Sequence, residues 1–302
     1  MKDILITGGA GKIGYNLVLK LLDSKYNITV LDLKSKKSEK TLSKVADKIK
    51  IVYGDIEDKN LVMDLVKKND IVVDYAGIMP PFANIDSSIA NSTNYVGTKN
   101  IVDAILEVNP DCIYYYMSFI SVYGTSDKKQ RRITVDTESN HPEDPFSVSL
   151  IRSEDYIRSN LKKYVIMRMP IVLTKKNYFI NHMAFDRRFD FIDTSDLNDI
   201  VIGLLRTKKS FGKTYNISGF KANSNIFYLN LYKSCGKLKY VINRDYYGDY
   251  DDFEEVEDIV KIKYTTANSY FKKLKDNTNP IIRIFRQLFY LPLYLKIKRD
   301  NK

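Results

Sequence analysis

Lys2-Asp3-Ile4-Leu5-Ile6-Thr7-Gly8-Gly9-Ala10-Gly11-Lys12-Ile13-Gly14 is the stretch whose reading decides the fold. Ile4, Leu5 and Ile6 form a short apolar run of strand type. Glycines then crowd the turn, and Ile13, Leu17, Val18, Leu21 and Leu22 follow at helical spacing. In a strand–turn–helix of this kind Gly8 permits the tight turn. Gly11, followed by Lys12 and Ile13, lets backbone approach a pyrophosphate at the helix N-terminus, and Gly14 lets the helix pack against the sheet. A second strand ends in Asp32. A carboxylate there accepts hydrogen bonds from ribose hydroxyls and repels a 2′-phosphate, which favours NAD over NADP. Lys34, Lys36 and Lys37, just beyond it, are the counterweight.

Outward from that stretch the alternation continues. Residues 28–31, 49–52, 71–73, 113–117 and 165–167 read as further strands. Val96, Ile101, Ala104, Ile105 and Val108 mark a helix between two of them. Such alternation predicts an α/β, Rossmann-type, doubly wound parallel sheet. The pattern weakens after about residue 170. The expected organisation is a dinucleotide-binding domain over 1–170, a small substrate-side lobe over 171–278 interleaved with it, and a basic amphipathic tail over 279–302. A helix over 196–205 and a strand over 213–217 are expected in the lobe.

Composition removes several functions. The chain has 302 residues, 44% hydrophobic and 28% charged, which suits a globular protein with a sizeable core. Two cysteines, Cys112 and Cys235, and two histidines, His141 and His182, exclude a disulfide framework and a histidine-rich metal centre, so no metal is expected. The net charge of +11 comes from bases that run along the chain without aromatic–basic interleaving, so no nucleic-acid partner is expected. Without a signal-like apolar start the expected location is cytoplasmic. The tail repeats Ile281, Ile284, Phe285, Leu288 and Phe289 at helical spacing beside bases. That stripe suits either packing on the α/β domain or peripheral contact with the inner face of an anionic membrane. Pro292 should kink or end its helix. Residues 245–258 carry eight acids and no base, read as an exposed loop or a contact with the tail.

Taken in order, the motifs resemble the extended short-chain dehydrogenase/reductase family, which holds the NAD-dependent nucleotide-sugar epimerases and dehydratases. The resemblance runs from Lys2 to about Gly219. It rests on the Gly8, Gly11, Gly14 spacing, Gly54-Asp55-Ile56, Asp74-Tyr75-Ala76-Gly77, Asn94-Tyr95-Val96-Gly97-Thr98, the segment from Ser118 to Val122-Tyr123-Gly124, Arg168, and Phe191-Ile192-Asp193-Thr194-Ser195-Asp196-Leu197. It implies that Asp55 and Ile56 lie near the adenine, and that Ala76, Gly77, Asn94 and Ser118 line the NAD site. It also implies a nucleotide-sugar partner and a homodimer formed through the Asn94 helix and the helix near residue 150.

The family's chemistry rests on a Ser or Thr, a Tyr, and a Lys four residues after the Tyr. By resemblance these positions fall on Phe119, Phe146 and Leu150, none of which can carry a proton or a charge. Ser118, Ser121 and Tyr123 are the nearby hydroxyls. Literal Tyr-x-x-x-Lys strings at Tyr95–Lys99 and Tyr294–Lys298 read as coincidences. Lys175, Lys176, Arg187 and Arg188 could meet a diphosphate or form a solvated basic loop. The leading expectation is therefore an NAD(H)-binding, epimerase/dehydratase-like protein without the usual hydride-transfer machinery, in a structural or regulatory role. The alternative is an active epimerase, dehydratase or reductase of glycan-precursor sugars with a displaced acid/base.

Overall fold

The computed structural model describes residues 1–80, 82–124, 133–138, 144–174, 188–236 and 259–300. Ten strands are placed among them: β1 (Lys2–Thr7), β2 (Tyr26–Asp32), β3 (Lys50–Tyr53), β4 (Ile71–Asp74), β5 (Ile113–Phe119), β6 (Tyr164–Met169), β7 (Ile171–Leu173), β8 (Arg188–Asp193), β9 (Lys213–Asn216) and β10 (Phe220–Asn223). The helices are α1 (Lys12–Leu21), α2 (Lys36–Leu42), α3 (Lys59–Val66), α4 (Phe82–Ile85), α5 (Ser87–Ile89), α6 (Gly97–Val108), α7 (Pro145–Asn160), α8 (Thr194–Leu205), α9 (Ser224–Cys235), α10 (Ala267–Asp276) and α11 (Pro280–Asp300).

Seven strands form one sheet in the order β3-β2-β1-β4-β5-β6-β9, every pair parallel. Helices on both faces explain why the inner strands are apolar without alternation. All seven residues of β5 are buried. Chain order reverses between β1 and β4, and a parallel sheet opens a crevice at such a switch.

The second sheet, in the order β10-β8-β7, was not legible in the sequence. Aromatic packing holds it. Phe191 on β8 stacks on Phe227 of α9 at 4.3 Å, and Tyr270 and Phe271 of α10 close around the same ring. The expected 213–217 strand exists as β9, but it returns to the main sheet beside β6. α8 likewise packs on α1. The two layers are thus threaded through each other along the chain.

Asp190 on β8 gives the small sheet a pH dependence. Its carboxylate is buried and accepts from Ser218 Oγ and the Gly219 amide. Burial outweighs those bonds and pushes it up to about 6, from 3.8. A raised carboxylate makes the folded state bind more protons, so stability should fall as pH rises from about 4 to about 6, by up to ~3 kcal/mol. Denaturant titrations of the protein and of Asp190→Asn should diverge over that window. Parallel curves would show that Asp190 titrates over the same pH range in the folded and the unfolded chain.

Candidate functional site

Two cavities lie on either side of the glycine turn, at the carboxyl ends of the strands. One, of about 270 Å³, is lined by Gly8, Gly11, Asp32, Asp55, Ile56, Ala76 and Gly77, and by Ser35, Lys37, Ser38 and Thr93. The other, of about 320 Å³, is lined by Gly8, Gly11, Lys12, Ile13, Gly14, Ala76, Gly77, Asn94 and Ser118, and by Phe119, Phe146 and Leu150. All twelve residues expected to bind a cofactor line one cavity or the other. Lys37 lines both. In the sequence Lys37 was legible only as a charge near Asp32, because nothing there showed that α2 starts against the turn.

The turn is built by hydrogen bonds. The Gly8 amide donates to Leu31 O and the Gly11 amide to Gly8 O, each at 2.9 Å. Gly8 has φ +63°, and a Cβ there would sit 2.6 Å from Tyr75 O. A Cβ on Gly14 would meet Gly8 O at 2.5 Å, so α1 could not approach this closely with any side chain. Gly11 caps α1 without a side-chain bond, leaving first-turn amides to the cavity. Asp32 Oδ2 accepts from the Ala10 amide at 2.7 Å. Burial pushes the Asp32 carboxyl up, against the Ala10 and Leu33 amides and the charge of Lys37. One carboxylate oxygen thus fixes the turn while the residue lines the first cavity.

Asn94 does structural work as well. It lies in a π-helical stretch, Ala90–Val96. Its Oδ1 accepts from the Ile78 amide at 2.7 Å, and its Nδ2 donates to Ile78 O and to Ser149 Oγ. One amide therefore clamps the loop after β4 against α7, and the π-turn aims it there.

The second cavity is apolar where the resemblance places chemistry. Phe119 ends β5. Phe146 and Leu150 lie one turn apart on α7, and the rings of Phe119 and Phe146 are 6.1 Å apart. Met117, Met169 and Val172 complete that wall. Ser118 does reach the cavity, but its hydroxyl donates to Glu154 Oε1 at 2.5 Å. Glu154 is itself buried under the site and bound in fork fashion by Arg168, with Arg158 on its second oxygen. Burial pushes Glu154 up. Arg168, Ser118 and Arg158 outweigh it and hold the carboxyl below its usual range. An anion so satisfied is a poor base.

Asp74, the one carboxylate among the described residues that line this cavity, is equally committed. Asp74 accepts from Thr7 Oγ1, Tyr114 Oη and the Ala76 amide, and burial pushes its carboxyl up. Burial pushes the Tyr75 and Tyr116 phenols well above their ordinary range.

Ser121 and Tyr123 are not in the cavity. Ser121 accepts from Ser147 Oγ, and Tyr123 bridges Arg168 and Asn216. Lys99 pairs with Asp103 and lies over the Tyr156 ring, away from both cavities. Tyr294 stacks on Tyr232. Neither Tyr-x-x-x-Lys string forms a dyad at the site. Cys112 is buried, which pushes its thiol up to about 12, as for an inert core residue. His141, Lys175, Lys176, His182, Arg187 and the 245–258 acids lie outside the described residues. Arg188 is described, exposed at the start of β8. No group of three or more His, Cys, Asp or Glu among the described residues could hold a metal.

Comparison with known proteins decides the family. The model of the NAD dependent epimerase/dehydratase family matches residues 4–188, more than half of the chain. The chain belongs to the NAD-dependent epimerase/dehydratase family. It is 29% identical over 286 residues to a dTDP-glucose 4,6-dehydratase of Mycolicibacterium smegmatis, covering 84% of this chain and 81% of that protein. Among solved structures it is similar to dTDP-glucose 4,6-dehydratase from Bacillus anthracis in complex with NAD. There the TM-score is 0.76 and the identity 20%, over 91% of this chain and 96% of that one. A UDP-glucuronic acid 4-epimerase from Bacillus cereus, in complex with UDP-glucuronic acid and NAD, gives 0.76 at 20% identity, over 95% and 100%.

Against that family the two halves of the site differ. The glycine turn, the Asp32–Ala10 bond and the first cavity fit the adenosine and pyrophosphate of a dinucleotide. The second cavity has room for a nicotinamide ring, but among its described lining residues the only ammonium groups are Lys12 and Lys37, at the glycine turn and on α2, and the position where the resemblance places the family's lysine is Leu150.

Proposed function

We propose that this member of the NAD-dependent epimerase/dehydratase family binds NAD(H) without running the family's hydride and proton transfers, in a structural or regulatory role. Gly8, Gly11, Lys12, Ile13 and Gly14 would hold the pyrophosphate. Asp32, Asp55 and Ile56 would hold the adenosine. Ala76, Gly77, Asn94 and Ser118 would line the nicotinamide end. When bound, the cofactor supplies a hydride acceptor or donor. Among the described residues, positions 119, 146 and 150 supply neither the proton carrier nor the ribose-holding charge beside it. The observation that carries the reading is the wall of Phe119, Phe146 and Leu150, together with the full commitment of Ser118, Glu154 and Asp74 to internal hydrogen bonds. A sugar nucleotide as second ligand, a homodimer through α6 and α7, and a cytoplasmic location belong to the same proposal. Asp74 is the residue to remove first if turnover is ever seen.

Calorimetry tests the cofactor half. NAD(H) should bind more tightly than NADP(H), because a 2′-phosphate would meet the Asp32 carboxylate. Asp32→Ala should narrow the gap by about tenfold or more, leaving Lys37 to favour the extra phosphate. Equal or tighter NADP(H) binding by the unmutated protein would sink this assignment. Assay of the same sample for turnover of nucleotide sugars tests the other half.

A further inference from the structure

Residues 261–302 hold eleven bases and two acids, a net +9 out of the chain's +11. The carboxyl end is therefore densely positive for its length, although residues 1–244 carry a net +10 of their own and the acidic stretch 245–258 offsets −8. The same segment contains α11, which packs on the core through Tyr290, Leu293 and Tyr294 and turns a second apolar face outward. Its contacts with α9 run through polar and aromatic groups. Tyr232 Oη donates to Gln287 O at 2.8 Å, Gln287 Nε2 donates to Tyr232 O, and Tyr294 stacks on Tyr232 at 4.3 Å. The opposite face points outward. Ile281, Phe285, Leu288 and Phe289 are 77%, 72%, 66% and 71% exposed, and Leu291 and Leu295 continue the line. At 100° per residue the exposed positions of α11 fall on one half of the helix and the half-buried ones, Arg283 and Arg286 among them, on the other. The helix does not end at Pro292; it runs through to Asp300, so the apolar face is continuous. Packing of this stripe on the α/β domain, one of the two sequence readings, is thereby overturned.

A face of this size is not left to water without a function. No helix among the described residues is long and apolar enough to cross a bilayer. We infer that α11 is an interfacial helix that lays its Ile281–Leu295 face into an anionic lipid surface. Charge selects this occupant over a second copy of the chain. Lys296, Lys298 and Arg299 end the helix, and exposed Lys272 and Lys275 of α10 precede its start, while Lys273 between them pairs with Asp193. Antiparallel pairing of two such helices sets one basic end against the other, and parallel pairing sets each end against itself. Anionic headgroups neutralise both ends at once, while the apolar face enters the acyl boundary. The inference is independent of cofactor binding.

The test is co-sedimentation of the full chain with phosphatidylcholine vesicles, with and without about 30% phosphatidylglycerol. Binding should appear at low salt with the anionic vesicles only. It should weaken at least about tenfold when salt rises from about 0.1 M to about 0.5 M. Phe285→Glu with Phe289→Glu should cut it by at least about tenfold, and these exposed positions should leave melting and NAD binding unchanged. Absence of binding at low salt, equal binding to neutral vesicles, or an unaffected double variant would each overturn the inference. So would a dimer that ignores vesicles and dissociates in the double variant, which would assign the face to a second copy.

Discussion

Offered dTDP-glucose or UDP-glucose together with NAD, the protein should return the sugar unchanged. The expectation follows from what walls the second cavity. A positioned acid/base contributes about 10²–10⁴ in rate, and here the position that should carry it, Phe146, has no proton to move. Leu150, one turn on, carries no charge to lower a phenol's pKa or hold a ribose, and Phe119 offers a substrate oxygen no hydrogen bond. The losses fall on one constellation, so they do not multiply, but any one of them is severe. The order in which repair succeeds is also expected. Phe146→Tyr alone should restore nothing, because burial would push the new phenol up as it does those of Tyr75 and Tyr116 in the same cavity. Only with Leu150→Lys beside it should the hydroxyl ionise near neutrality, read by ultraviolet difference titration. Chromatography of the sugar and absorbance of the bound cofactor give the primary answer. Turnover by the unmutated chain, with the cofactor cycling, would show that a displaced group does the work and would move attention to Asp74.

The half of the site that was legible in the sequence is the half made by backbone. Gly8 and Gly14 are required because a Cβ would strike Tyr75 O or Gly8 O, and such steric demands leave a residue type in a fixed spacing. Asp32 was legible for the same reason, since the end of the second strand can face only the turn beside it. The six apolar runs became β1 to β6 because a parallel sheet buried on both faces tolerates little else. The second sheet was hidden because its strands are three to six residues long and are held by rings from α9 and α10, a contact with no local period. Lys37 was hidden because cavity lining depends on where α2 begins. The apolar stripe of α11 was legible as a stripe. Its direction was not, because periodicity says that one face differs from the other and leaves open which face meets the protein.

Arg168→Met should destabilise the fold by about 3–5 kcal/mol, the usual cost of stranding one partner of a buried ion pair. Glu154 sits beneath the site with essentially no exposure and takes three bonds from Arg168. Removing the guanidinium leaves a buried carboxylate with Ser118 and Arg158 alone, and it frees Tyr123 from its 2.6 Å bond to Arg168 Nη1. The double variant Arg168→Met with Glu154→Leu should be less damaged than Arg168→Met by itself, since replacing both charges with apolar groups removes the stranded ion. The pH dependence has a definite sign. The Glu154 carboxyl is held below its ordinary 4.5 in the folded state, so the stability it contributes is present above about 4.5 and is lost as pH falls through the lower folded value. The unmutated protein should therefore lose more stability than the double variant as pH falls below about 4.5. Because Ser118 at the rim of the second cavity is oriented by Glu154, Arg168→Met should also weaken NAD binding, although position 168 lines neither cavity. Denaturant unfolding of the three proteins across acidic pH measures the first two effects. A double variant as unstable as Arg168→Met would show that the pair stabilises the fold by its own attraction rather than by mutual neutralisation.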